Sequence, residues 1–595
     1  MIKMDENTES IPENDIGKFF EQISSTLEPL SEDEIYQQIK NFIKDKFEQK
    51  PLLLLWEQIA FAFSENYSGN KSEWDTYFGQ RWTNREGRIV YEEPSIQAIT
   101  PEIISYWEKR VTESKHPVFK ARYSNLVWDF SEKIKGEKPH YTIAQIFIDS
   151  VIELAEKNLH RYPTDTIKKL ERALSLALSI NDKERIDKLI DTIINYEEKV
   201  AEDHKPGLWG FSYKLLVKNK KAQINVDKEQ KILRDLEERF ERLLKGNNYC
   251  AAESAGYLLI NYYFGHKDTS KVRNILIRLG TMVLELANKN SPLFTCIWLE
   301  KIHDLYLKYG LKDEADKILI AVKEYSEKSM PEFKCVETSV KIPEETIEKI
   351  INNLIEGDLK TALRKVAMAY IPRKGTSYEQ LKEYSTHAPL YFLFTQKIVD
   401  KEGRLIASVG PLEEDIDGQL VLQISQNMEI SSFFLRETLK VLIKKFNLDT
   451  KCIMNYLYES PIFDEKRRDF FVQGIEAYLH NDYFVALHIL IPQIEALIRN
   501  LAKKIGLPVL KPSRSGAFNY RTLDDLLRDK EIINVLTEDM CLYFRILFTD
   551  QRGWNLRNNI CHGISQIEDF NQIFADSVFH ALLCLAMVKE KEKKE

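Results

Sequence analysis

The chain is poor in the residues that interrupt helices: 22 glycines and 19 prolines in 595 positions. So few breakers leave little room for the frequent turns of an all-β protein. Cysteine is scarce as well. The seven (Cys250, Cys296, Cys335, Cys452, Cys541, Cys561 and Cys584) are odd in number, scattered and never spaced as CxxC. That pattern argues against a disulfide framework or a zinc site and suits a reducing compartment. Long apolar runs are missing too. The strongest of them, such as Phe579–Val588, is far too short to cross a bilayer. The first ten residues, MIKMDENTES, are polar and acidic, unlike a secretory leader. A cytoplasmic protein without membrane contact is therefore expected. There is also no basic excess: the net charge is −8, so any nucleic-acid contact must be local. With 44% hydrophobic and 30% charged residues, the composition is that of an ordinary globular protein. A chain of this length holds several domains.

What fills the space between the breakers is apolar spacing at the helical period, and a mainly α fold is expected. Residues 1–15 read as a disordered tail. Residues 16–140 read as an aromatic-rich helical region holding Trp56, Trp74, Trp82, Trp107 and Trp128, whose expected role is core packing between helices. Residues 141–370 read as successive helix pairs forming a solenoid-like array. Four junctions recur there: Ser179-Ile180-Asn181-Asp182, Phe264-Gly265-His266-Lys267, Tyr309-Gly310-Leu311-Lys312 and Glu356-Gly357-Asp358-Leu359. Each offers a Gly or Asn where a helix ends, because those residues tolerate the left-handed conformation. The stretch Leu305–Gly310 with Ala315 resembles half of a tetratricopeptide unit. Such arrays bind partners or brace another domain, so a protein partner or trigger is expected on this one.

Between 385 and 425 the pattern changes. Tyr391–Val399 and Arg404–Val409 are β-prone runs flanking Asp400-Lys401-Glu402-Gly403, which spells a small β-hairpin insert. Residues 430–590 then read as a helical bundle. In Tyr483–Leu501 the apolar residues Tyr483, Leu487, Leu490, Ile494, Leu497 and Leu501 step by four and three, one buried stripe. Pro492 sits inside this helix and is expected to kink it. Pro508–Tyr520 reads as an exposed loop, and Ser565–Glu568 as a capping box starting a final long helix.

The stretch that carries chemistry is Arg557-Asn558-Asn559-Ile560-Cys561-His562-Gly563. A histidine moves protons near neutral pH. An arginine holds the charge that develops on a phosphate. On a straight helix Arg557 and His562 lie about 140° apart around the axis, so they cannot both face one phosphate. Either Arg557 folds round from the helix entrance, or a second copy of the chain completes the site. Gly563 removes a side chain where a second helix could approach. Cys561 lacks an acid–base partner and reads as a packing residue. A looser match, Arg110 to His116, reads as accidental.

The motif resembles the RNase motif of the HEPN superfamily of small helical bundles. More closely, residues 385–590 resemble an uncharacterised HEPN-like family with the signature RNxxxHG. The likeness is supported by His480–Tyr483, Ile491–Arg499, Thr522–Leu527 and Asn555–Asn558. The stretch from Tyr106-Trp107 to Ala121-Arg122-Tyr123 resembles the N-terminal half of such proteins. The resemblance implies an endoribonuclease that needs neither metal nor cofactor, dimerises through the C-terminal bundle, and serves in toxin or antiviral defence. Catalytic roles fall to Arg557, Asn558 and His562, with Asn558 holding His562 or the phosphate in register. Glu495 and Arg499, an i, i+4 pair with His488 on the same side, are expected to support them. Residues 499–530 carry eight basic side chains against three aspartates; Lys503, Lys504, Lys511, Arg514 and Arg521 are the expected RNA contacts. The competing expectation is a non-catalytic helical scaffold whose bundle binds RNA or a nucleotide.

Overall fold

The computed structural model describes residues 13–24, 28–46, 51–65, 72–85, 88–334, 341–513 and 516–590. The protein is mainly α, with 26 α-helices and four two-stranded antiparallel ribbons among the described residues. It divides into two compact units, Met1–Ser329 and Met330–Glu595.

In the first unit the described chain begins with the helix Glu13–Ser24, which starts inside the expected tail; residues 1–12 lie outside the described residues. One core runs from Phe20 through Trp107, Tyr123 and Ile193 to Leu233, so no core boundary falls at residue 140. The aromatics there pack as expected: Trp107 is fully buried and Trp56, Trp74 and Trp128 pack against the same core. A second core spans Trp209 to Tyr325. It is built by the helices Val226–Lys245, Tyr249–Gly265, Thr269–Leu286, Pro292–Lys308 and Lys312–Ser329, each packed on its sequence neighbour. The starts of the first four are capped by the side chains of Asn225, Asn248, Asp268 and Ser291, which accept otherwise orphaned backbone N–H groups. The left-handed residues are Asn181, Gly310 and Gly357, as the junctions suggested, but at the second junction it is Lys267. Gly265 ends its helix there without adopting that conformation.

The helical array stops earlier than residue 370. Ala362, Leu363, Val366, Ala367 and Leu381 are buried in the second unit's core, because Leu359–Ala369 packs on the last helix, Gln572–Ala586. That last helix is the centre of the bundle. Every residue from Ala575 to Ala586 is buried, against Ile416–Phe446, Thr450–Leu457 and Tyr483–Lys504. Polar atoms knit the same packing: Ala367 O accepts from His580 Nε2 at 3.1 Å, and Tyr543 OH bonds His580 Nδ1 at 2.9 Å.

Tyr483–Lys504 runs unbroken through Pro492. Pro492 is exposed, so the carbonyl that loses its donor lies on the outer side of the helix. The inner stripe is as expected, with Leu487, Leu490, Ile494, Leu497 and Leu501 buried. This is also the one described helix long and apolar enough to cross a membrane by length and composition, and its most apolar window is 56% buried inside the protein. The insert hairpin pairs Gln396–Val399 with Leu405–Val409; Tyr391 and Phe392 fall instead in the short helix Pro389–Phe392. Within the stretch expected to be a loop, Leu510–Pro512 pairs with Phe518–Tyr520 as a short antiparallel ribbon. The last helix starts at Gln572 under an Asn571 cap. The capping box is shifted by one residue, to Gln566 and Asp569, and opens only a 3-10 turn.

Candidate functional site

The motif sits on a six-residue helix, Leu556–Cys561. The chain arrives there by a tight turn after the helix Glu538–Phe548. Gly553 is required in that turn, because a Cβ would stand 2.6 Å from Ile546 O. Asn555 then adopts a left-handed φ of 53° and begins the helix. Leu556 and Ile560, one turn apart, are buried and anchor the inner face. That leaves the neighbouring face for the polar residues.

Arg557 is 27% exposed and turns toward the long helix, where its Nε donates to Glu495 Oε2 at 3.0 Å. Its Nη1 donates to Asn558 Oδ1 at 3.1 Å. Its Nη2 makes no hydrogen bond among the described residues. Arg557 thus sits in the first turn of the helix with its guanidinium directed to Glu495, and no hydrogen bond joins it to His562 among the described residues. Asn558 is held from its other end: Nδ2 donates to Asn555 Oδ1 at 2.7 Å and to Thr549 O at 3.3 Å. Its carboxamide therefore fixes Arg557 and the preceding turn. Among the described residues it makes no hydrogen bond to the His562 ring.

His562 terminates the helix, its backbone N–H bonded to Asn558 O at 3.1 Å. The side chain is exposed, and its imidazole makes no hydrogen bond or ion pair among the described residues. Gly563 follows at φ 68°, with nothing within 4 Å of where a Cβ would stand. Its conformation, not a close neighbour in the chain, accounts for the glycine. Cys561 is exposed, not the packing residue expected, and partial desolvation and the nearby Glu495 carboxylate push its thiol up, with Arg557 opposing. It is a poor thiolate source.

Glu495 is 14% exposed and serves two guanidiniums, since Arg499 Nη2 also donates to it at 2.5 Å. Arg499 in turn lies 4.8 Å over the Tyr520 ring. His488 stands on the same side, stacked on Phe570 at 4.8 Å. Tyr520 comes from the short ribbon and Phe570 from the end of a 3-10 turn, so nothing in their local sequence joined them to this helix.

The basic stretch is less free than its count suggests. Lys511 pairs with Asp525 at 2.5 Å, Arg521 with Asp529 at 2.9 Å and Arg528 with Asp524 at 2.6 Å. Arg521 also donates to the carbonyls of Pro508 and Asp525, which ties the ribbon to the helix that follows it. Lys503 and Lys504 are exposed and make no ion pair among the described residues. Arg514 lies outside the described residues. Among the described residues no three His, Cys, Asp or Glu side chains converge as a metal site.

In the first unit, Arg110 and His116 do not form a second site. Arg110 pairs with the fully buried Glu57 at 2.6 Å, which also accepts from Tyr106 and Tyr123. His116 is buried and caps its helix by accepting from Val118 N. Residues 77–189 of this unit match a domain of unknown function (DUF7380), a span that contains Arg110 and Tyr123 and excludes the RNxxxHG motif. No curated protein matches the chain.

Proposed function

We propose that the second unit is a HEPN-type endoribonuclease, working in the cytoplasm without a metal as a homodimer. One observation carries this: among the described residues the motif presents an exposed imidazole without a hydrogen bond at His562, directly after a short helix whose Arg557 guanidinium is pinned at Nε and Nη1 and makes no hydrogen bond through Nη2. Glu495 orients Arg557 and offsets part of its charge, but it is shared with Arg499, so the trio keeps one net positive charge for an anionic phosphate.

In RNA the 2′-OH is an internal nucleophile. It attacks the adjacent phosphorus, the 5′-oxygen of the next nucleotide leaves, and the products are a 2′,3′-cyclic phosphate and a 5′-OH. His562 takes the 2′-OH proton or delivers one to the leaving oxygen, while Arg557 stabilises the charge on the pentacoordinate phosphorus. One imidazole serves one of these proton transfers at a time. A two-fold dimer with facing motifs supplies a second. Lys503 and Lys504 are exposed and make no ion pair among the described residues, which suits them to the strand's backbone. A role in toxin or antiviral defence, with a partner or trigger on the first unit's helices, belongs to the same proposal.

The test is a substrate carrying one 2′-deoxy nucleotide at a mapped cleavage position. Cleavage there must stop while neighbouring positions are still cut, because DNA lacks the attacking group. A second reading, a non-catalytic bundle, draws on the Asn558 carboxamide, which is committed to Asn555 and Thr549 as a structural cross-link would be.

A further inference from the structure

A cavity of about 360 Å³ lies beside the insert hairpin, walled by the helices Lys374–His387 and Ile416–Phe446. Its size falls within the range of small-molecule sites, about 300–1,000 Å³. Its chemistry is unusual for a protein in which charged residues make up 30%: no Lys, Arg, Asp or Glu lines it. The walls are aromatic rings and carboxamides with Leu381, Ala388 and Leu422 between them, and the one imidazole, His387, turns its Nδ1 to the carbonyl of Glu383 at 2.8 Å.

Two of the four carboxamides are engaged in a hydrogen-bonded chain that orients the site. Tyr391 OH donates to Gln396 Oε1 at 3.0 Å, Gln396 Nε2 to Gln419 Oε1 at 3.3 Å, and Gln419 Nε2 to Gly410 O at 2.7 Å. The other two keep hydrogen-bonding capacity. Gln423 is only 7% exposed. Its Nε2 donates to Asn427 Oδ1 at 3.1 Å, but its Oε1 accepts nothing among the described residues. That oxygen faces the cavity, where water or a ligand donor can reach it. Gln426, three residues on along the same helix, is exposed and makes no hydrogen bond among the described residues. The pair offers an acceptor beside an amide that both donates and accepts. Tyr391 is half exposed and lines the cavity, which offers an aromatic ring for stacking.

We propose that this cavity binds a nucleobase, an uncharged planar heterocycle with adjacent donor and acceptor groups. The base comes either from a free nucleoside or from an unpaired nucleotide of RNA. A charged ligand would be desolvated here without compensation. An aliphatic one would leave Gln423 Oε1 unpaired. A base satisfies both constraints, because it stacks on an aromatic face and reads amides through its edge. The inference does not depend on the ribonuclease reading, since the cavity shares no residue with the motif.

The experiment is ligand-detected NMR on the full chain with each of the four ribonucleosides. In parallel, calorimetry uses a short single-stranded oligoribonucleotide and its abasic counterpart, both against the His562→Ala protein so that no cleavage interferes. Saturable binding of a nucleoside is expected, weakened at least tenfold by Gln423→Leu and by Tyr391→Ala. Tyr391→Phe, which keeps the ring, should weaken it less than Tyr391→Ala. Because Tyr391 is half exposed, its removal leaves the core packed and keeps the test valid if Gln423→Leu fails to fold. Binding by nucleosides assigns the free ligand. Binding only by the oligonucleotide, lost in the abasic form and weakened by the same substitutions, assigns an RNA base. The proposal is overturned if neither class binds, or if binding survives the Tyr391→Ala change undiminished.

Discussion

Glu495 holds Arg557 from sixty-two residues away in sequence, Oε2 to Nε at 3.0 Å. The carboxylate comes from the longest apolar stretch of the bundle, and the guanidinium from its shortest functional helix. Because Glu495 also pairs with Arg499, it is itself held on both sides. That makes the direction of Arg557 a property of the bundle's packing, where a side chain free in solvent would have none. Glu495→Gln should lower the cleavage rate at saturating RNA by about tenfold, since a neutral amide orients a guanidinium more weakly than a carboxylate does. Melting temperatures measured alongside will show whether the loss is one of orientation or of folding.

Arginine and lysine are not interchangeable at this position. Arg557→Lys removes both the Nε donor to Glu495 and the Nη1 donor to Asn558. The cleavage rate should fall by roughly 100-fold, in the range for losing one donor to a developing anion. Single-turnover kinetics on a defined oligonucleotide will measure it.

The two ends of the motif should separate cleanly in stability measurements. His562 is exposed and unpartnered, so His562→Ala should leave the melting temperature unchanged. Asn558 ties Thr549 and Asn555 to the motif helix, so Asn558→Ala should cost about 1–3 kcal/mol. Chemical denaturation of both variants decides this. Equal losses would mean that the histidine has a structural partner.

Two groups on the last helix carry opposite pH dependences. Burial pushes His580 down to about 4, while its hydrogen bonds to Tyr543 and Ala367 suit the neutral ring. Its contribution is fully present above the unfolded value near 6.5 and is lost as pH falls toward 4, up to about 3 kcal/mol. Asp576 is pushed up to about 6 by burial, against the hydrogen bond from Tyr478. Its contribution is present below about 4 and lost as pH rises through 6. The two offset each other across this window. Asp576→Asn removes one of them, and its melting temperature should drop more steeply than wild type between pH 6.5 and 4.5.

Much of this arrangement could be read from local patterns. The stripe of Tyr483–Lys504, the Gly403 hairpin turn and the left-handed Asn181, Gly310 and Gly357 all follow from residue preferences acting over a few positions. Pro492 lies inside this helix as expected, on its exposed side, where packing of the opposite face outweighs the one lost hydrogen bond. Local spacing says less about which unit a helix joins. Leu359–Ala369 has the same apolar spacing as the array helices, and its packing on Ile416–Phe446 and Gln572–Ala586, both distant in sequence, places it in the second unit. The motif itself was plain in the sequence, and so was Glu495 as a candidate. The hold of Asn558 on Arg557, and the pairing of Lys511 and Arg521 with aspartates, depend on side-chain directions that spacing does not specify.

The most direct measurement incubates wild-type, Arg557→Ala and His562→Ala proteins with total RNA and tRNA in EDTA, then maps the chemistry of every new end. The account requires 2′,3′-cyclic phosphate and 5′-OH ends from the wild type, and their disappearance in both variants. Absence of such ends with the wild type, or ends that persist when His562 is gone, would contradict it.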